Sequence, residues 1–434
     1  MAELLPTAAW RGRDDLAALV AALGPGQARY VGGAVRDTLL GEPVSDIDIA
    51  TPLVPAQVTA RLDAAGIRSV PTGIEHGTVT AVLAGGPVEI TTLRSDIATD
   101  GRRALVAFGS DWRADAERRD FTINALYADP VSGELFDYFG GVEDLAAGRV
   151  RFIGDAVTRI REDHLRILRY FRFKARFGSQ VTDKKAETAC AEMASSLKGL
   201  SRERIGMEMT KLLALPDPAP TVTRMAELGV LKVILPEGDS APLARLVAEE
   251  ARQGVAPHPL RRLAALLPPD PSLAEKIAAR FRLSNSQRKR LMSAAARDQI
   301  LPGTGRWRAE GVTEGPEAHR LHRVGDQARS PSVSRSAPAT SPFRGGSSGA
   351  RALAYRIGRE EALDRLLLTG ESVAPLIGWT APTFPLKGGE IVARGLAAGP
   401  EVARILRRIE DRWVDEGFPN RERVALLLAE ELPH

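Results

Sequence analysis

The sequence predicts an α+β fold, and three observations carry that prediction. Up to about residue 150, short alternating apolar runs of the strand type mix with helical patterns. From Asp155 the strand signals disappear and helix patterns run nearly to the end. In the first part, Tyr30 to Ile49 sets a diglycine turn between two strand signals, and the second strand carries Asp46 and Asp48.

In chain order, residues 14–23 read as a short amphipathic helix, with Asp14 as its cap and Leu16, Leu19, Val20 and Leu23 as its buried stripe. Tyr30 and Val31 read as the end of a buried strand. Gly32 and Gly33 follow; having no Cβ, they let backbone N–H groups approach a ligand closely. A short helix, Ala34 to Leu40, is closed by Gly41 and Pro43. A diglycine turn opening a helix offers free N–H groups and a positive dipole end, which suits a phosphate. Arg36 adds a fork of donors. On the next strand side chains alternate, so Asp46 and Asp48 share one face while Ile47 and Ile49 point into the core. Two carboxylates beside a phosphate cradle are what a pair of Mg2+ ions needs. Each feature alone is a turn or a solvated strand edge; together, at this spacing, they indicate a metal-dependent nucleotidyl-transfer site.

Pro55 to Ala65 reads as a helix ended by Gly66, and Thr78–Leu83 with Val88–Leu93 as a hairpin around Gly85-Gly86. Glu89 in the second of these strands is either a third carboxylate facing the Asp pair or an edge-strand charge. Arg94 to Gly109 is polar, contains glycine and lacks periodicity, so it reads as a mobile loop. Beyond it, Asp120 reads as an N-cap with Phe121 and Ile123 inside. Arg118 and Arg119 point toward the phosphate cradle, and Asn124 can hydrogen-bond a sugar hydroxyl. Taken alone, that Arg pair is a solvated helix start.

Ile160 to Phe177 reads as one helix, with Leu165, Leu168, Phe171 and Ala175 as its apolar stripe and Asp163, Arg166, Arg169 and Arg172 on another side. Asp163 and Arg166, three apart, are either a surface salt bridge or a base reader. Cytosine and adenine both show an exocyclic amine beside an unprotonated ring nitrogen. One carboxylate and one guanidinium serve both bases and refuse the reversed polarity of uracil and guanine.

At these residues the chain resembles the class II tRNA nucleotidyltransferase and bacterial poly(A) polymerase family, within the DNA polymerase beta-like nucleotidyltransferase superfamily. The matching pieces are Gly-Gly-Ala-Val-Arg-Asp (32–37), Asp46-Ile-Asp48, Arg118-Arg-Asp-Phe-Thr-Ile-Asn-Ala125, Glu162-Asp-His-Leu-Arg166 and Ser201-Arg-Glu-Arg-Ile-Gly-Met-Glu208. The resemblance implies a catalytic head with a small mixed sheet and flanking helices (1–148), followed by all-α neck (149–215), body (216–302) and tRNA-binding tail (351–434). It implies Asp46 and Asp48 as metal ligands, Gly32, Gly33 and Arg36 on the triphosphate, and Arg118, Asp120 and Asn124 around the ribose. Asp163 and Arg166, with Arg169 beside them, become the protein template for the base, and Arg202 to Glu208 support that helix from the next one.

In the tail, Phe384-Pro-Leu-Lys-Gly-Gly-Glu-Ile, Gly399-Pro-Glu-Val and Ile405 to Trp413 also resemble the family. Arg288, Lys289 and Arg290 lie on a polar helix after Asn285 and are candidates for the tRNA backbone, unless they are simply a solvated face. Residues 303–350 depart from the pattern: of positions 301–350, twenty are Gly, Ser or Pro and seven are Arg, without Lys. Such a stretch cannot bury enough apolar surface to repay its ordering, and it reads as a local frame error or an unstructured insertion. An RNA-binding basic tail is the alternative, disfavoured because Pro and Ser interrupt the Arg.

Composition narrows the rest. At 434 residues the chain has room for two or three domains, and 44% apolar with 26% charged residues is ordinary for soluble proteins. It has no apolar run of membrane-spanning length, and its start lacks the layout of a signal peptide. Cys190 is the one cysteine, which excludes an internal disulfide and fits a cytoplasmic setting. Six scattered His and one Cys offer no zinc cluster, and no His is followed by Asp as a His-Asp phosphohydrolase needs. A net charge of +4 is compatible with nucleic acid. The reading is a monomer that adds CCA, or part of it, to the 3′ end of the tRNA acceptor arm from CTP and ATP. The alternative is a poly(A) polymerase, but Thr72-Gly-Ile-Glu-His-Gly-Thr stands where those relatives tend to carry an Arg-rich signature. A catalytically silent RNA-binding protein is the third reading, against which Asp46 and Asp48 argue.

Overall fold

The computed structural model describes residues 3–99, 104–178, 183–297 and 347–432. Its strands are β1 (Arg29–Val31), β2 (Ile47–Thr51), β3 (Ser69–Gly73), β4 (Thr78–Leu83), β5 (Gly86–Thr92), β6 (Arg94–Thr99), β7 (Ala104–Phe108), β8 (Leu126–Ala128) and β9 (Leu135–Asp137). Seven of them form one sheet in the order β3-β4-β5-β2-β1-β8-β9. The sheet is mixed, because β2 and β5 run parallel while the other neighbours run antiparallel. β2 is therefore central, and Asp48 sits opposite Val31 of β1 on one side and Glu89 of β5 on the other.

Alternation decides what each sheet face meets. Ile47, Ile49, Val79, Ala81, Val88 and Ile90 share one face and are buried. The first helices, α1 (Asp14–Leu23), α2 (Gly33–Leu39) and α3 (Pro55–Ala64), flank the sheet; Leu16, Leu19 and Leu23 of α1 and Val58 and Leu62 of α3 are buried. Asp14 is the first residue of α1 and not its cap, a position taken by Arg13. On the opposite face Val31, Ala50 and Tyr127 pack with Ala116 and Ile153. Arg94 to Gly109, expected to be a loop, contains the antiparallel hairpin β6–β7, whose register slips between Asp96 and Ala98. The ladder satisfies the backbone there without needing a periodic sequence.

Helices follow: α4 (Trp112–Glu117), α5 (Gly141–Ala146), α6 (Ala156–Glu162), α7 (Arg166–Phe177), α8 (Lys184–Glu192) and α9 (Arg202–Leu213). After them come α10 to α15 (Ala219–Glu227, Val230–Ile234, Ala241–Arg252, Pro259–Ala265, Pro271–Arg280, Asn285–Ala295). The expected single helix over 160–177 is two, α6 and α7, broken at Asp163, whose backbone is extended at φ −148° and ψ 107°. The Asp163 carboxylate accepts from the Leu165 N–H at 3.1 Å, which favours a new helix start over continuation.

The chain divides into two compact units, one of Met1–Ala248, Ala256–Pro268 and Ser272–Leu291, the other of Glu249–Val255, Pro269–Pro271 and Met292–His434. The second contains α16 to α20 (Ser347–Ile357, Arg359–Thr369, Gly388–Val392, Pro400–Asp415, Arg421–Glu431). Ile405, Ile409 and Trp413 of α19 and Val424 and Leu427 of α20 form its apolar cluster, with Phe384 and Tyr355 against Trp413. Residues 303–346 of the atypical segment lie outside the described residues; its last four open α16. No helix of the described residues is long and apolar enough to cross a membrane.

Candidate active site

Where β1 ends, Gly32 adopts φ +69° and ψ −119°, a conformation that favours glycine, and turns the chain into α2. The Gly32 N–H is not free, since it donates to the Leu126 carbonyl of β8 at 3.1 Å. The first backbone bond within this turn runs from Arg36 N–H to Gly32 C=O, so the Gly33 and Ala34 amides stand ahead of it at the helix start. Arg36 is buried: its Nη1 donates to Asn124 Oδ1 at 2.5 Å, and its Nε donates to Asp37 at 2.9 Å. Phe177 and Phe173 lie under its guanidinium at 4.6 and 5.3 Å. Burial pulls its pKa below the ordinary value, against Asp37.

A second layer comes from α4 and the short turn after it. Asp115 is only 1% exposed and is the hub. Arg118 donates to it at 2.8 and 2.5 Å, Arg119 at 3.2 Å and the Tyr127 hydroxyl at 2.6 Å. Burial opposes ionisation of Asp115, but Arg119 and Arg118 outweigh it and hold the carboxyl below its usual range. Asp120 does not cap a helix as expected. The short turn after it, Thr122–Asn124, has Phe121 at its cap position. Instead Asp120 is a buried acceptor for the Asn124 amide at 2.9 Å and Arg169 at 2.6 Å, and Phe121 bridges to Phe152.

Asp163 and Arg166 do not pair with each other. Arg166 donates to Glu162 at 2.5 Å and to the Arg118 carbonyl at 3.0 Å, whereas Asp163 accepts from Arg204 of α9 at 2.9 Å. Further along, α9 and α7 pair directly, through Glu208 and Arg172 at 2.7 Å. This is the support from the second helix that Arg202 to Glu208 were expected to give. The surface salt bridge offered as the plain reading of Asp163 and Arg166 is thereby replaced by two separate anchors.

All these layers open on one cavity of about 380 Å3. It is lined by Gly32, Gly33, Arg36, Asp48, Arg118, Arg119, Asp120, Asn124, Asp163, Arg166 and Arg169, all foreseen from sequence, and by Leu165, Phe173 and Arg204, which were not. Six arginines against three aspartates make it a receptor for polyanions. Asp115, Glu162 and Arg204 were missed as functional residues. Asp115 had a signal in its spacing of three and four from Arg118 and Arg119. Arg204 had none, since its partner is 41 residues away.

Asp48 is half-buried, and Asp46 is exposed just ahead of β2. Glu89 is exposed beside Asp48 on the neighbouring strand; Asp46 and Glu89 are not among the cavity's lining. Burial, Glu89 and Asp46 push the Asp48 carboxyl up to about 6, with Arg119 opposing. Carboxylates crowded to that degree fit a divalent cation, which relieves their repulsion. Among the described residues no three His, Cys, Asp or Glu side chains form a ready cage. A metal here would complete its coordination with substrate oxygens, as Mg2+ sites on nucleotides do. Arg288, Lys289 and Arg290 sit on α15 and are not among the cavity's lining.

Residues 28–151 match the poly A polymerase head domain, and residues 182–241 match the domain described as a probable RNA and SrmB-binding site of polymerase A. The mitochondrial CCA tRNA nucleotidyltransferase 1 of Mus musculus is 34% identical over 397 residues, covering 90% of this chain and 83% of that protein. The CCA-adding enzyme of Leuconostoc citreum is 42% identical over 189 residues, 43% of this chain and 45% of that protein. Among solved structures, the Bacillus stearothermophilus CCA-adding enzyme in complex with CTP superposes with a TM-score of 0.65 at 26% identity, covering 96% of both chains. The Thermotoga maritima CCA-adding enzyme complexed with tRNA, at 20% identity and a TM-score of 0.61 over 96% of this chain and 98% of that one, shares the fold. The chain belongs to the CCA tRNA nucleotidyltransferase family, built on a poly A polymerase head domain.

Proposed function

We propose that this nucleotidyltransferase adds CCA, or part of it, to tRNA 3′ ends from CTP and ATP. The observation that carries the reading is the single cavity in which phosphate, ribose and base partners converge beside Asp48. In our reading Gly33 and Ala34 amides and Arg36 hold the triphosphate, while Arg118, Asp120 and Asn124 bracket the ribose. Arg119 lies against Gly32 and keeps a positive charge beside the phosphates. Asp163, oriented by Arg204, accepts from the exocyclic amine of cytosine or adenine, and Arg166, oriented by Glu162, donates to the ring nitrogen. Asp46 and Asp48 would hold divalent metal, Mg2+ in our reading, which when bound neutralises phosphate charge and eases deprotonation of the attacking 3′-hydroxyl. Glu89, opposite Asp48 on the side away from β1, would accept that proton in our reading. Arg288, Lys289 and Arg290 would contact the tRNA backbone, and we take the working form to be a cytoplasmic monomer. The absence of an Arg-rich run at Thr72 to Thr78 favours tRNA over poly(A) addition.

The test is to incubate the purified protein with tRNA lacking its terminus, offering CTP, ATP or both, and to sequence the products. The reading expects C or CC from CTP alone and CCA from both. Long A tails from ATP alone would overturn it in favour of a poly(A) polymerase.

A further inference from the structure

The nucleotide cavity occupies only one side of Asp48, the side of β1 and α2. On the other side the same sheet face continues through β5, β4 and β3. Side chains directly opposite one another share a face. Asp48 pairs with Glu89, Glu89 with Thr80, and the Thr80 hydroxyl lies 2.7 Å from that of Thr72. One step along, Thr91 and Thr78 are opposite, their hydroxyls 3.2 Å apart. On the reverse face Val79, Ala81, Val88 and Ile90 are apolar and buried, whereas the paired Thr hydroxyls lie on the face that bears the carboxylate. Each hydroxyl pair spends one hydrogen internally and leaves the other to donate outward. Strands are about 4.8 Å apart, so this band begins about 10 Å from Asp48.

We propose that the hydroxyl-bearing face of β3, β4 and β5 is the acceptor subsite, where Thr72 and Thr80, with Thr78 and Thr91, hold the 3′-terminal sugar–phosphate of the RNA being extended. This deepens the transferase reading and rests on it. In-line displacement needs the attacking hydroxyl on the opposite side of the transferred phosphorus from the leaving group. With the nucleotide in the cavity, that hydroxyl has to arrive over Glu89. Its own sugar and 5′-phosphate then extend over Thr80 and Thr72. Neutral hydroxyls suit this role: they bond phosphate or ribose oxygens at any sequence, without placing a fixed cation next to the metal-binding carboxylates.

The experiment uses the full chain and the double variant Thr72→Val/Thr80→Val, which keeps shape and removes both hydroxyls. Binding of tRNA lacking its terminus, without nucleotide, is read by fluorescence anisotropy across a salt series. The subsite predicts about tenfold weaker binding with an unchanged salt slope, because no charge is lost. Thr72→Ser, which retains a hydroxyl, should bind like the parent. In steady state the double variant should raise KM for tRNA and leave KM for CTP unchanged. An unchanged Kd in a variant with the parent's thermal midpoint overturns the subsite, as does equal weakening by Thr72→Ser. If the parent binds tRNA and the double variant binds it more weakly, but neither transfers nucleotide, the subsite stands and the transferase reading fails.

Discussion

Replacing Asp115 by Asn keeps the side chain's shape and removes its charge, and its effect can be worked from the contacts. Asp115 is buried and accepts two bonds from Arg118, one from Arg119 and one from the Tyr127 hydroxyl. Removing one partner of a buried ion pair costs about 3–5 kcal/mol. Arg118 and Arg119 retain 14% and 20% side-chain exposure and can regain some water, which places the expected loss near the lower end, about 3 kcal/mol. That is a large share of a domain's stability but not all of it, so the variant should fold. Arg118 and Arg119 both line the cavity, so their release should also raise KM for CTP by about tenfold. The folded pKa of Asp115 lies below its unfolded value, so its stabilisation is complete above the unfolded value and is lost as pH falls through the folded one. The stability gap between parent and Asp115→Asn should therefore close in acid. Urea unfolding at several pH values, together with initial rates of CTP incorporation, measures both effects. A loss under 1 kcal/mol at neutral pH, or an unchanged KM for CTP, would refute the hub assignment.

Further outcomes follow from the same geometry. Asp48→Ala should abolish transfer in a folded protein; extension of tRNA within tenfold of the parent rate would remove Asp48 from the chemistry. Because burial, Glu89 and Asp46 raise the Asp48 pKa to about 6, Asp48 of the metal-free protein holds a proton below that pH, which a metal must displace, and is already ionised at pH 8. Added Mg2+ should therefore raise the thermal midpoint more at pH 8 than at pH 5, and equal shifts at both would contradict the assignment. Gly32→Ala has room, its Cβ falling 3.6 Å from Arg119 Nη1, but it must hold φ +69°, a strain of about 1–3 kcal/mol. It should raise KM for nucleotide more than it lowers kcat, which steady-state kinetics on a trimmed tRNA would show.

Where period-2 or helical patterning was clean, the sequence was readable. β1, β2, the β4–β5 hairpin and α3 fall within a few residues of their expected places because alternating apolar residues had only one core to face. The β6–β7 hairpin was not readable, since its ladder is held by backbone pairing that leaves little periodic trace. The break between α6 and α7 was hidden because apolar spacing runs through it, while one carboxylate, Asp163, ends the first helix and holds the start of the next. In the site, the cradle and the Arg pair were legible because they are local in sequence. The anchors were not: Arg204 to Asp163, Arg169 to Asp120 and Arg176 to Asp37 join residues 41, 49 and 139 apart. Only tertiary packing could reveal that Asp163 and Arg166 are held by different partners.

In the proposed reading this arrangement makes the protein itself the template. The direct measurement is the ratio of kcat/KM for CTP over UTP, on tRNA lacking its terminus, for the parent, Asp163→Asn and Arg166→Ala. A mispaired buried polar group costs about 1–3 kcal/mol, so each variant should lower the ratio by roughly five- to a hundredfold, and Asp163→Asn should impair ATP use along with CTP. A ratio that stays at the parent's value in folded, active variants would mean that Asp163 and Arg166 only brace α7 and α9, and that the base is chosen elsewhere.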